Sequence, residues 1–226
     1  AASFDRQMRP GLAHARILDW LLAPFGHSCR HSLMVILHDP RCAEYGSAQR
    51  PEQPARVTRS AAHLRAAHPD WVWRVPSAEV VTNELLALAH VPRHLARLAV
   101  ARDFDPDTPY FPQIEDHARR SVASAIAAAR HAATTREPVF SLMRPPGHHA
   151  TATQAMGFCY LNQIAVAALF AQRDFSTTDP DVAPARKVAI WDFDAHHGNG
   201  TEAICQGQVG VFFASVHQYP GYPGTG

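Results

Sequence analysis

The sequence predicts an α/β fold, a mainly parallel sheet with helices on both faces. Two observations predict it. Short apolar runs alternate along the chain with longer segments of helical character. The final run, Val209 to Val216, is almost wholly apolar and reads as a strand enclosed on both sides. With 46% hydrophobic and 18% charged residues, the chain can build a core and is not globally disordered.

The elements follow in order. Ser32 to His38 reads as a short buried strand, ended by Asp39-Pro40. A proline-rich loop leads to a helix over Ala55–Ala67. Trp71 to Val75 alternates and reads as the second strand. Thr82 N-caps a helix through Ala89, and Pro92 opens another. Asp103 to Pro112 is a polar loop broken by prolines. Glu115 to Ala133 is alanine-rich and strongly helical. Val139 to Met143 is a third strand. Phe158 to Gln172 reads as a helix with apolar Leu161, Ile164, Ala165, Ala168 and Leu169. A polar loop, Asp174 to Arg186, precedes the strand Lys187 to Trp191. Residues 1–31 form an N-terminal extension or a first helix, and 32–226 the N-terminal portion of a single domain. Only ten residues follow Val216, so the chain is expected to stop short of the domain's C-terminal part.

Lys and Arg number 21 against 20 Asp and Glu, a net charge of +1. That balance gives no broad electrostatic footprint for direct nucleic-acid or membrane binding. No apolar run approaches the roughly 20 residues that span a bilayer. The four cysteines include no Cys-x-x-Cys pair, and reduced thiols in a cytoplasmic protein are expected. The 15 histidines are roughly three times the usual share.

In open parallel sheets chemistry gathers at the carboxyl ends of strands. Five histidines stand at three such ends: His148 and His149, His196 and His197, and His217. Asp192, Asp194 and His196 are spaced i, i+2, i+4 as a strand runs out, which places them on one side of an extended chain. Such a set is either solvated at the strand end or held by a cation, and carboxylate oxygen with imidazole nitrogen suits zinc, or ferrous iron as an alternative. His148-His149 follows Arg144-Pro-Pro-Gly147, a stiff approach. Adjacent imidazoles are not both cheaply protonated, which suits one to a base role and the other to an acid role. Asp192 is a candidate partner for one ring and Asn199 for the other. By themselves Phe158 and Tyr222 read as core or turn aromatics, Cys159 as a buried inert thiol, and His217 as structural.

Taken together, Arg144-Pro-Pro-Gly-His-His-Ala150, Gly157-Phe-Cys-Tyr-Leu-Asn162, Asp192-Phe-Asp-Ala-His-His-Gly-Asn-Gly-Thr201, Ser215-Val-His217 and Tyr222-Pro-Gly-Thr-Gly226 resemble the histone deacetylase family. That family also includes bacterial acetylpolyamine amidohydrolases and acetoin-utilisation proteins. The direct Gly147-His148 step and Asn199 in place of aspartate are similar to class II and bacterial members. Arg50-Pro-Glu-Gln-Pro-Ala-Arg56 is similar to an early family segment.

The resemblance implies an arginase/deacetylase-like fold and zinc-dependent hydrolysis of an N-acetyl amide. The substrate would be an acetyl-lysine peptide or an acetylpolyamine. It implies Asp194 and His196 as two of three zinc ligands, and His148 and His149 as the proton-handling pair. Asp192 would orient the first of these and Asn199 the second. It implies Gly157, Phe158 and Tyr222 as channel lining and Asp107 as a rim residue. Asp192, Asp194, His196, Ser215 and Val216 match a potassium site, largely through main-chain carbonyls. The family's third zinc ligand and its oxyanion-stabilising tyrosine lie beyond the Pro-Gly-Thr-Gly loop, so this stretch alone is expected to be nearly inactive. Two rival classes are a two-metal phosphoesterase and a non-catalytic fragment.

Overall fold

A computed structural model describes residues 34–78, 81–178 and 187–226, with 174–178 described in backbone only. The expected extension 1–31, the start of the first predicted strand and the second half of the 174–186 loop lie outside these residues.

Strand β1 (Val35–Leu37) is buried throughout and pairs in parallel with β2 (Val72–Arg74) and β3 (Val139–Ser141). Val35 stands beside Val72 on one side and Val139 on the other. Strands β4 (Val188–Asp192) and β5 (Val211–Ser215) form a second parallel pair, with Asp192 beside Ser215. Every strand ladder among the described residues is parallel, but the ladders form groups of three and two strands rather than one sheet.

Helix α1 (Ala55–Ala67) has the bounds the sequence predicts. Helix α2 (Asn83–Leu86) is capped by Thr82, whose Oγ1 accepts the Leu85 N–H at 3.3 Å. It is shorter than predicted, because Ala87 to Ala89 run on as turns that carry His90 inward. Pro92 opens α3 (Pro92–Leu98). Its fixed φ suits the first helical position, where no N–H is needed. Helix α4 (Ile114–Thr135) packs along α5 (Gln163–Thr178), and α6 is Asn199–Cys205. Val122, Ala123, Ile126, Ala165, Val166, Leu169 and Phe170 share the core in which these helices lie. Small alanines let the helices approach, and each large apolar side chain contributes about 1.5–3 kcal/mol by leaving water. No described helix is long and apolar enough to cross a membrane.

Helices flank both faces of the three-stranded sheet. Ser141 hydrogen-bonds Ser124 of α4 at 2.6 Å. Neighbouring Phe140 points the other way, beside Ser60, His63 and Leu64 of α1. The β4–β5 pair differs. Ile190 and Val211 are buried, whereas Trp191 and Phe212 on the alternate face are 70% and 58% exposed. Among the described residues, then, the final strand is covered on one side only.

Helix α5 starts five residues later than predicted and runs on to Thr178, past the predicted loop start at Asp174. Phe158 has φ +64°, which breaks a helix there. Asn162 supplies the cap: its Oδ1 accepts the Ala165 N–H at 3.0 Å. Leu161 is therefore buried ahead of the helix, and Ile164 is half-exposed rather than a core contact.

Candidate active site

The loop after β3 and the loop after β4 meet at a cleft of about 700 Å³. His148, His149, Asp192, Asp194, His196, Gly157, Phe158, Tyr222 and Asp107 all line it. Asn199 stands behind His149 as its hydrogen-bond partner. Ser215 and Val216 lie across the β4–β5 pair, where the Val216 N–H donates to the Asp192 carbonyl at 2.9 Å. Ser215 Oγ is taken by His217 Nδ1 at 2.8 Å, a structural use of that histidine.

His148 Nδ1 lies 2.9 Å from Asp192 Oδ2, and His149 Nδ1 lies 2.8 Å from Asn199 Oδ1. A carboxylate and an amide oxygen only accept, so each Nδ1 carries a proton, and each Nε2 is left out of these two bonds. The rings stand 3.9 Å apart. Burial, then the neighbouring His148, push His149 down to about 4, so it is neutral near pH 7. Asn199 offers no negative charge to offset this.

Asp192 does not join Asp194 and His196 in one shell, as period-two spacing suggested. The strand ends at Asp192, so the alternation ends there too. Its Oδ2 accepts from His148, and its Oδ1 accepts the Asp194 N–H at 3.1 Å. Burial alone would raise the Asp192 carboxyl, but the hydrogen bond and charge of His148 outweigh it and hold the carboxyl below its ordinary value. Asp194 is also held low. Burial again opposes, and the His196 N–H and ring outweigh it.

Asp194 Oδ1 lies 3.0 Å from His196 Nδ1 and 3.9 Å from His148 Nε2. One hard oxygen and one imidazole nitrogen, both open to the cleft, fit two positions of a zinc shell. Among the described residues no three His, Cys, Asp or Glu side chains converge to hold a metal.

The channel wall is set by backbone. Gly157 has φ +57°, and a Cβ there would stand 2.5 Å from the His149 ring and 3.0 Å from Tyr222. Only glycine leaves this space. The Tyr222 ring meets His149 edge-on at 5.0 Å. The Phe158 N–H donates to Thr108 Oγ1 at 3.1 Å, and Thr108 is fully buried. That bond ties the wall to the loop carrying Asp107.

Several supporting residues carried no assigned role in the sequence. Asn162 is fully buried, and its Nδ2 donates to the Ala150 carbonyl at 3.0 Å. The Thr201 N–H donates to the His148 carbonyl at 3.0 Å. His90 Nε2 accepts the Asn162 N–H at 2.9 Å, so its Nδ1–H must donate to the Thr151 carbonyl at 3.0 Å. His94 Nε2 donates to the Tyr160 carbonyl at 2.8 Å. The signal for His90 and His94 was a histidine pair four residues apart across Pro92, with no partner nearby in sequence. Cys159 is fully buried and its thiol is pushed up by burial, as suits an inert side chain.

Residues 50–226 match the histone deacetylase domain family. An uncharacterized protein, slr0245, of Synechocystis sp. is 41% identical over 188 residues, covering 78% of this chain and 58% of that protein. Histone deacetylase 15 of Arabidopsis thaliana is 37% identical over 187 residues, covering 78% of this chain and 32% of that protein. The crystal structure of the HDA15 HD domain superposes with a TM-score of 0.75 at 32% identity, over 86% of this chain and 57% of that one. The chain thus spans little more than half of slr0245 and of the solved domain, and about a third of histone deacetylase 15.

Proposed function

The chain belongs to the histone deacetylase domain family, and from that premise we propose that its cleft serves zinc-dependent hydrolysis of an N-acetyl amide to acetate and a free amine. One observation carries the reading. Both tandem histidines are held through Nδ1, by Asp192 and Asn199, so both Nε2 atoms are free to handle protons beside Asp194 and His196.

Asp194 and His196 would hold the metal. When bound, zinc supplies Lewis acidity that polarises an amide carbonyl and acidifies water. His149 is neutral, so its Nε2 takes a proton from the attacking water. As the carbon–oxygen bond forms and the carbon–nitrogen bond breaks, a proton passes from an imidazolium to the leaving amine. His148 is placed for that acid role, with its ring held by the Asp192 carboxylate through Nδ1–H at 2.9 Å. Gly157, Phe158 and Tyr222 would pack the aliphatic stem of an acetyl-lysine peptide or acetylpolyamine, with Asp107 at the rim. A potassium ion on the Asp192, Asp194, His196, Ser215 and Val216 side belongs to the same reading. Buried, unpaired Cys42, Cys159 and Cys205 support a reducing compartment such as the cytoplasm.

Metal analysis with an acetyl-lysine fluorogenic assay tests this. Bound zinc and weak, hydroxamate-sensitive deacetylation are expected, because Asp194 and His196 are two ligands of a shell that needs a third. Two bound metals with phosphatase activity would sink the reading.

A further inference from the structure

The tandem histidines are reached from β3 through Leu142 to Gly147, and this approach is gripped by a distant segment. The segment is the strap Asp39 to Glu52 that follows β1. At its start, His38 Nδ1 bonds the Leu142 carbonyl at 2.7 Å and the Asp39 N–H meets Met143 Sδ at 3.2 Å. Further on the strap surrounds Arg144, four residues before His148. That guanidinium is 2% exposed.

Four of its five N–H groups have partners on the strap. Nε and one Nη2 proton go to the two oxygens of Glu52, the latter at 2.7 Å. Nη1 donates to the carbonyls of Cys42 at 2.8 Å and Tyr45 at 3.3 Å. The Tyr45 ring lies 4.2 Å from Cζ, and the Tyr45 hydroxyl donates to Glu52 Oε2 at 3.4 Å. Gly46 has φ +104°, and a Cβ there would stand 2.9 Å from Nη2. The strap is thus shaped around the guanidinium.

A buried ion pair is a poor device for stability alone, because apolar replacements of equal volume often serve as well. What a forked guanidinium on a carboxylate does supply is a fixed plane and direction. Glu52 and Arg144 are 92 residues apart, so the fork fixes a tertiary relation that no local preference sets. We propose that Arg144 and Glu52 are a positioning pair, which fixes the approach of the His148–His149 loop so that both Nδ1 atoms meet Asp192 and Asn199. This rests on the reading that these two imidazoles handle protons. Neither residue of the pair is assigned a chemical step.

The experiment is nitrogen-15 NMR of histidine side chains in the full chain, which reads tautomer and the hydrogen-bonded Nδ1–H directly. Two variants are compared with the unsubstituted chain. Arg144→Lys keeps the charge but cannot fork. The double substitution Glu52→Leu with Arg144→Met removes both charges and leaves none unpaired. Both are expected to stay folded by circular dichroism. Both should lose the protected Nδ1–H resonances of His148 and His149, while the His90 and His94 resonances persist. A folded double variant that retains all four patterns overturns the proposal. An unfolded double variant also overturns it, since the pair would then serve stability. Failure of the proposed chemistry reads differently: the unsubstituted chain would show both protected Nδ1–H groups, yet bind no zinc.

Discussion

On one wall of the cleft, His148 and His149 are gripped from behind by Asp192 and Asn199, and Thr201, Asn162 and His90 hold the carbonyls of His148, Ala150 and Thr151 in turn. On the facing wall, the side chains of Asp194 and His196 are 44% and 52% exposed and bond chiefly to each other. The first wall is preorganised by the protein. The second is a pair of donors whose geometry a bound cation would set. Groups that must sit in one tautomer need enclosing partners, whereas metal ligands are ordered by the metal they hold.

The largest expected effect strikes the enclosed wall. Arg144→Met alone leaves the Glu52 carboxylate buried without its partner, as the pair is 2% and 4% exposed. Breaking a buried pair costs about 3–5 kcal/mol. Urea unfolding should show that loss, and a change under about 1 kcal/mol would mean that the strap relaxes to admit water.

Next comes the chemistry. Replacing His149 with alanine should lower the weak turnover of an acetyl-lysine substrate by about a further hundredfold, the scale of one general base. Assay of the metal-loaded protein checks this, and near-normal turnover would remove His149 from the base role.

Acid should act third. His90 is pushed to about 3 by burial, then by His94, against an ordinary value of 6.5. The unfolded chain therefore takes the proton more readily below pH 6.5. Stability present above pH 6.5 is lost as pH falls toward 3. By pH 5 this one group should cost about 2 kcal/mol. Unfolding curves at pH 7.5 and 5 measure the loss, and His90→Asn should flatten the dependence. An unchanged slope would show that His90 does not govern it.

The smallest effect belongs to the open wall. Asp194→Ala should shift unfolding of the metal-free chain by less than about 0.5 kcal/mol, as a half-exposed carboxylate contributes little. Zinc uptake, by contrast, should fall sharply. Strong destabilisation of the metal-free chain would erase the contrast between the walls.

What could be read before folding was local. Ala55–Ala67 has its predicted helical bounds, Thr82 caps as predicted, and Pro92 opens its helix. The two His-His pairs, with Asp192 and Asn199 as partners, were legible because short motifs carry them at strand ends. The start of α5 was not legible. Leu161 fits the apolar spacing, but the Phe158 backbone is held left-handed by a bond from Thr108, fifty residues away. The placing of Asp192 was half legible. Spacing put it with Asp194 and His196, while the need of a tandem-histidine ring for a partner, and then the family resemblance, put it behind His148, where it is found.

The sequence by itself determined the parallel α/β class and the family, because apolar periodicity and clustered motifs are properties of neighbours along the chain; the resemblance those motifs carry then implied Gly157, Phe158, Tyr222 and Asp107 as cleft lining, where they are found. Only the tertiary structure decided that Asn162 joins three motif segments, that His90 holds the histidine loop, and that Glu52 closes on Arg144. Each of those contacts satisfies a buried donor or acceptor whose partner is remote in sequence. Burial, which makes an unpaired polar group costly, exists only once the chain has folded.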